Sequence, residues 1–109
     1  MTTLPEKANR RLWPRYIIFR DCQVTVGEAN VDVTLLNVSR SGLAFLGPAI
    51  PVSPGDRLQV YIDGVLAPLT LIVGNVNYGR IGGRFDLEPV IATMWEEEFD
   101  QLIVGLSPM

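Results

Sequence analysis

The fold is decided by ANVDVTLLNVSRSGLAFL, residues 29–46. In its first half, Val31, Val33 and Leu35 share one face and the residues between them are polar. Alternation with a period of two indicates a half-buried β-strand. The segment SRSG at 39–42 is typical of a turn, and a short apolar run follows it. The stretch therefore predicts two strands joined by a polar turn.

Working outward, the flanking sequence adds four more runs of this kind. The six predicted strands span residues 16–26, 29–38, 42–46, 56–63, 65–77 and 81–87. Asp63-Gly64 predicts a hairpin turn before the fifth strand, which should bend or bulge at Pro68 or Gly74. Six short antiparallel strands at regular spacing suggest a small barrel.

The periodicity of the apolar residues changes after Pro89, where they recur at steps of three and four. This spacing predicts a helix of about fifteen residues, with a stop near Gly105. The acidic run Glu96-Glu97-Glu98 should form a solvated face of that helix. The expected fold class is therefore all-β: a six-stranded antiparallel barrel with a C-terminal α-helix against one opening.

Composition excludes several classes of function. The 109 residues suffice for one domain, and they include no histidine and a single cysteine, Cys22. The usual general base and metal ligand are therefore missing, and histidine-activated nucleophiles are impossible. No apolar stretch approaches the roughly 20 residues that span a bilayer, and no signal peptide is visible. We expect no enzyme activity, no cofactor, no membrane insertion and a cytoplasmic location.

Charge is distributed unevenly along a chain whose net charge is −3. Residues 1–20 hold five basic side chains and one acid, whereas residues 86–109 hold six acids and no base. A globally acidic chain with one basic end is a poor binder of nucleic acid polymers. A small anionic ligand held by a local arginine cluster fits better.

The basic end carries Arg10-Arg11-Leu12-Trp13-Pro14-Arg15, an R-R-x-x-x-R cluster. Guanidinium groups bind phosphate, and the O6/N7 edge of guanine, through bidentate hydrogen bonds. The turn at Asn37-Val38-Ser39-Arg40-Ser41-Gly42 adds an N-x-S-x-x-G pattern. Together these residues favour an anionic guanine nucleotide as the ligand.

These two motifs, in this order, resemble those of the PilZ domain family, which consists of receptors for the bacterial second messenger cyclic di-GMP. Arg11 and Arg15 match the R-x-x-x-R motif, and Arg10 matches an extra arginine often seen before it. The second motif is matched by Asn37, Ser39 and Gly42. The later stretch RIGGRF resembles the closing strand of the family.

The resemblance implies a PilZ-type barrel at 10–105, a flexible lead at 1–9 and a tail at 106–109. It further implies a stand-alone, non-enzymatic receptor whose ligand is cyclic di-GMP. The N-terminal segment that carries the arginines would become ordered over the ligand, and the domain would then signal to a protein effector. The domain is expected to be a monomer or a weak dimer.

In this scheme Arg11 and Arg15 grip guanine edges and phosphates, and Arg10 favours an intercalated ligand dimer. Asn37, Ser39 and Gly42 complete the site, with Arg40 and Gly82 as further candidates. The family more often has aspartate at the position of Asn37, so the contact of Asn37 with a guanine N–H would be weaker.

Alternatives remain open for single residues and for the whole chain. Asn37 and Ser39 can simply stabilise the turn, and Gly42 can serve close packing. Arg40 can be a solvated turn residue, and we expect Trp13 to pack rather than to stack on a base. At the level of function, the rivals are a PilZ-like adaptor that binds only proteins and a small barrel that binds single-stranded nucleic acid.

Overall fold

A computed structural model describes residues 13–109, which form a closed antiparallel barrel and one helix. The elements are β1 (Tyr16–Val26), β2 (Ala29–Ser39), β3 (Gly42–Leu46), β4 (Arg57–Ile62), β5 (Leu69–Asn77), β6 (Arg80–Phe85) and α1 (Pro89–Leu102). Neighbouring strands pair in the order β1-β2-β3-β6-β5-β4, and β4 closes on β1. The predicted six-stranded barrel with a C-terminal helix is confirmed.

Alternating side chains fill the barrel. In β4, Leu58, Val60 and Ile62 are buried while the residues between them are exposed, as the period-two pattern predicts. Cys22 is also buried, in β1, and its burial raises the pKa of the thiol to about 12. The interior is therefore a packed apolar core, and the barrel offers polar chemistry only on its outer face and rims.

Helix α1 covers one end of the barrel. In this antiparallel order the starts of β1, β3 and β5 and the ends of β2, β4 and β6 all lie at that end. Trp95 and Phe99 are buried there, with their rings packed edge-on against Phe85 and Tyr16. Pro89 begins the helix, a position that needs no N–H donor.

The connection from β4 to β5 differs from the prediction. Strand β5 starts at Leu69 rather than Val65, and Asp63-Gly64 does not form a two-residue hairpin. The backbone amides of Leu66 and Ala67 donate to the Glu98 carboxylate at 2.6 and 2.7 Å, so they are not available to a strand ladder. The expected solvated acidic face is therefore wrong for Glu98.

Candidate functional site

A side-chain hydrogen bond joins the described part of the first motif to the second motif. The Nη1 atom of Arg15, just before β1, donates to Oδ1 of Asn37 on β2 at 3.0 Å. The backbone of Arg15 is held as well, because its carbonyl accepts from the Met109 amide at 2.7 Å beside a bridge between Tyr16 and Pro108. The C-terminal tail therefore helps to fix Arg15 against the end of β2.

The turn between β2 and β3 is organised around Ser39. Its Oγ accepts from the Ser41 amide at 3.2 Å and lies 3.4 Å from both the Gly42 carbonyl and Ser41 Oγ. Asn37 and Ser39 are 4% and 3% exposed. The Ser39 side chain therefore stabilises the turn, and the Asn37 side chain holds Arg15 in place. The direct contact of either side chain with a ligand stays a prediction.

Gly42 has a packing role that its motif position does not reveal. A Cβ on Gly42 would lie inside 3.0 Å of the Gly83 carbonyl oxygen, a separation that real Cβ atoms essentially never show. Strands β3 and β6 thus approach closely here, with Gly42 opposite Arg84 in the ladder. Glycine is needed for the barrel to close at this point, whatever else it does.

An open depression of about 270 Å³ lies on the outer face beside this turn. Its lining residues are Arg15, Ser41, Gly42, Ala44, Gly74, Asn75, Arg80, Gly82, Gly83 and Arg84. Ala44, Gly82 and Asn75 occupy one row across β3, β6 and β5, and the β5–β6 register shifts at Gly74. This places the predicted bulge at Gly74.

The residues that line this depression are mostly basic or small. It contains three arginines and no carboxylate, in a chain whose net charge is −3. The floor of glycine and alanine lets a flat ligand approach the backbone closely. Among the predicted site residues, Arg15, Gly42 and Gly82 line the depression. Sequence reasoning missed Asn75, Arg80 and Arg84, although the alternation of Arg80, Gly82 and Arg84 places all three on one face.

Arg40 points away from the depression, toward α1. Its Nη2 pairs with Asp100 at 2.6 Å, and its guanidinium lies 5.0 Å from the Phe99 ring centroid and 5.8 Å from that of Trp13. The Arg40 carbonyl accepts from Trp95 Nε1 at 2.9 Å. Arg40 thus ties the motif turn to the helix, and its contact with a ligand stays a prediction. Arg10 and Arg11 lie outside the described residues.

A second hollow, of about 570 Å³, lies on another part of the surface, along β1, β2 and β4. Its lining includes Asp21, Asp32 and Asp63 and no basic residue. A surface with this charge repels an anion, so the basic depression is the better candidate for an anionic ligand. Within residues 13–109, no cluster of three metal-ligating side chains was found, and no helix is long and apolar enough to cross a membrane.

Solved structures share this architecture at low sequence identity. The Bacillus subtilis inhibitor of motility, MotI/DgrA, superposes with a TM-score of 0.63 and 14% identity, over 88% of this chain and 53% of that one. Escherichia coli YcgR in complex with c-di-GMP gives 0.59 and 19%, over 85% of this chain and 46% of that one. The chain thus spans about half the length of each, and the likeness shows the fold.

No curated protein matches the sequence significantly. The family comparison is decisive, because the sequence model of the PilZ domain matches residues 9–104. That match covers nearly the whole chain, including both motifs and the β6 strand. The protein belongs to the PilZ domain family.

Proposed function

We propose that this PilZ domain is a receptor that binds cyclic di-GMP in the depression beside the β2–β3 turn. The observation that carries the proposal is the 3.0 Å hydrogen bond from Arg15 to Asn37, which brings the two motifs to one edge of a basic depression. The structural likeness to YcgR, which is described in complex with c-di-GMP, agrees with this proposal.

The chemistry of the lining suits such a ligand. Cyclic di-GMP carries two phosphates and two guanines, so it offers anionic oxygens and the O6/N7 edge that arginine recognises. Arg15 is held in place through both its side chain and its backbone, which reduces the ordering cost of binding. The glycine and alanine floor leaves room for a base to lie flat against the sheet.

We further propose that Arg10 and Arg11 contact the same ligand from the chain that leads into Trp13. Binding would then fix the position of this segment over the depression. A ligand that binds one arrangement better than another shifts the population toward it, and the altered surface can be read by a protein effector.

Calorimetric titration tests the proposal. The full chain should bind cyclic di-GMP and should bind cyclic di-AMP far more weakly, because adenine lacks the O6 acceptor. Arg15→Ala should weaken binding by about 1.5–3 kcal/mol, as expected for a charge-assisted hydrogen bond. Arg15→Lys keeps the charge but loses the planar fork, so it should also weaken binding.

Arg57→Ala is the matched control, since Arg57 pairs with Asp86, does not line the depression, and its loss changes the net charge equally. This variant should bind as the wild type does. Absence of binding by the wild-type chain at micromolar ligand would contradict the receptor proposal and favour the protein-binding adaptor. Normal binding by Arg15→Ala would show that the ligand sits elsewhere.

A further inference from the structure

The arginines in the described part of the chain fall into two groups. Four have partners: Arg15 donates to Asn37, Arg20 to the Asp63 carbonyl at 3.0 Å, Arg40 pairs with Asp100, and Arg57 pairs with Asp86 at 2.6 Å. Arg80 and Arg84 make no ion pair or side-chain hydrogen bond within residues 13–109. Both of these unpaired arginines line the basic depression.

Strand geometry places the side chains of Arg80 and Arg84 on the same outer face of β6. They are four residues apart in β6, so their side chains emerge from the same face at a spacing of roughly 13 Å along the strand. Gly82 lies midway between them, and a Cβ at this position would stand 3.2 Å from Oδ1 of Asn75, so the Asn75 amide lies beside Gly82. Asn75 sits opposite Gly82 on β5, with no hydrogen-bond partner for its amide in the described residues.

The surroundings explain why these arginines have no partner among the described residues. Their neighbours on β3 include Gly42, which is opposite Arg84, and Leu46, which is opposite Arg80. None of the lining residues is acidic. The two guanidiniums therefore face a floor of small residues, and none of the described residues that line it supplies an anion.

We infer that Arg80 and Arg84, with Asn75 between them, form a second wall of the site that binds the half of a cyclic dinucleotide distal to Arg15. This inference rests on the proposed function and extends it to three residues outside both motifs. One phosphate and one guanine edge of a two-fold ligand engage the Arg15 side, and the β6 wall takes the other phosphate and guanine. The Asn75 amide offers a donor and an acceptor to the base edge.

The test measures cyclic di-GMP affinity for the full chain and for Arg80→Ala, Arg84→Ala, Arg84→Lys and Asn75→Ala, with Arg57→Ala as the control of equal net charge. Each arginine-to-alanine change should weaken binding about tenfold to a hundredfold, the loss expected for a charge-assisted contact. Arg84→Lys should recover part of this loss but not all, because lysine lacks the bidentate fork. Melting temperatures without ligand should stay unchanged, since both side chains are exposed and make no ion pair with residues 13–109.

The outcomes separate the two claims. Binding by the wild type and by Arg57→Ala, with loss in both Arg80→Ala and Arg84→Ala, supports the second wall. Wild-type binding with either alanine variant unchanged overturns the second wall and leaves the proposed function standing. No binding by the wild type removes the proposed function, and the second wall falls with it.

Discussion

Replacing Gly42 by alanine should damage the barrel itself. The added Cβ would overlap the Gly83 carbonyl oxygen and lie 3.1 Å from Arg84 Cα. Both are backbone atoms of β6, which have no rotamer to change. Relief requires β3 and β6 to move apart beside the 2.8 Å hydrogen bond from the Phe85 amide to the Ser41 carbonyl.

The magnitude follows from three terms. Overpacking a rigid contact costs about 1–3 kcal/mol, and loss of one backbone hydrogen bond costs about 1 kcal/mol. The smaller entropy of the unfolded alanine chain returns about 0.4–1 kcal/mol. The net loss in unfolding free energy is about 2 kcal/mol, which lowers the melting temperature of a domain this size by about 8–16 °C.

Gly82→Ala is the matched comparison, because the nearest atom to its Cβ would be the side-chain oxygen of Asn75 at 3.2 Å. That side chain can rotate, so the melting temperature should barely change while the floor of the depression rises. Thermal unfolding and ligand titration of both variants separate the fold from the site. A Gly42→Ala protein that melts with the wild type would refute the claim that β3 and β6 are rigidly close at this glycine.

Three further predictions concern the rest of the molecule. Glu98→Gln should lower the unfolding free energy by about 1–3 kcal/mol in urea titrations, because a carboxylate that accepts two loop amides is lost, whereas the exposed Glu97→Gln should have no effect. Burial raises the pKa of the Cys22 thiol from 9.0 to about 12. The neutral thiol therefore contributes fully to the stability of the fold below pH 9, and this contribution is lost as the pH rises to 12. Over this range the urea midpoint should fall more for the wild type than for Cys22→Ala. A double-mutant cycle on Arg40 and Asp100 should give a coupling below about 1 kcal/mol, since the pair is exposed, and a larger value would contradict a surface ion pair.

Local patterns predicted the strands well because alternation and turn residues carry that information. The predicted bounds of β1, Tyr16–Val26, agree with the structure, since the β-rich run ends at a glycine. The start of β5 was wrong because the amides of Leu66 and Ala67 are bound by Glu98, about thirty residues away. A contact between a loop and a helix leaves no periodic signal in either segment.

The site was predicted as far as its two motifs and the resemblance of the closing strand reach. Arg15 and Gly42 were expected from the two motifs, and both line the depression. Asn75 and Arg84 come from β5 and β6, whose placement relative to β3 depends on the order β3-β6-β5 and on the register shift at Gly74. That register is a property of the closed barrel, so no short stretch of sequence contains it.

The most direct test of the receptor claim is an amide-resolved NMR titration of the full chain with cyclic di-GMP. We predict chemical-shift changes concentrated at the amides of Gly42, Ala44, Asn75 and Gly82, with the acidic hollow around Asp32 unaffected. This result would establish binding and its location in one measurement. Spectra that stay unchanged when excess cyclic di-GMP is added, or chemical-shift changes confined to the hollow around Asp32, would contradict the account.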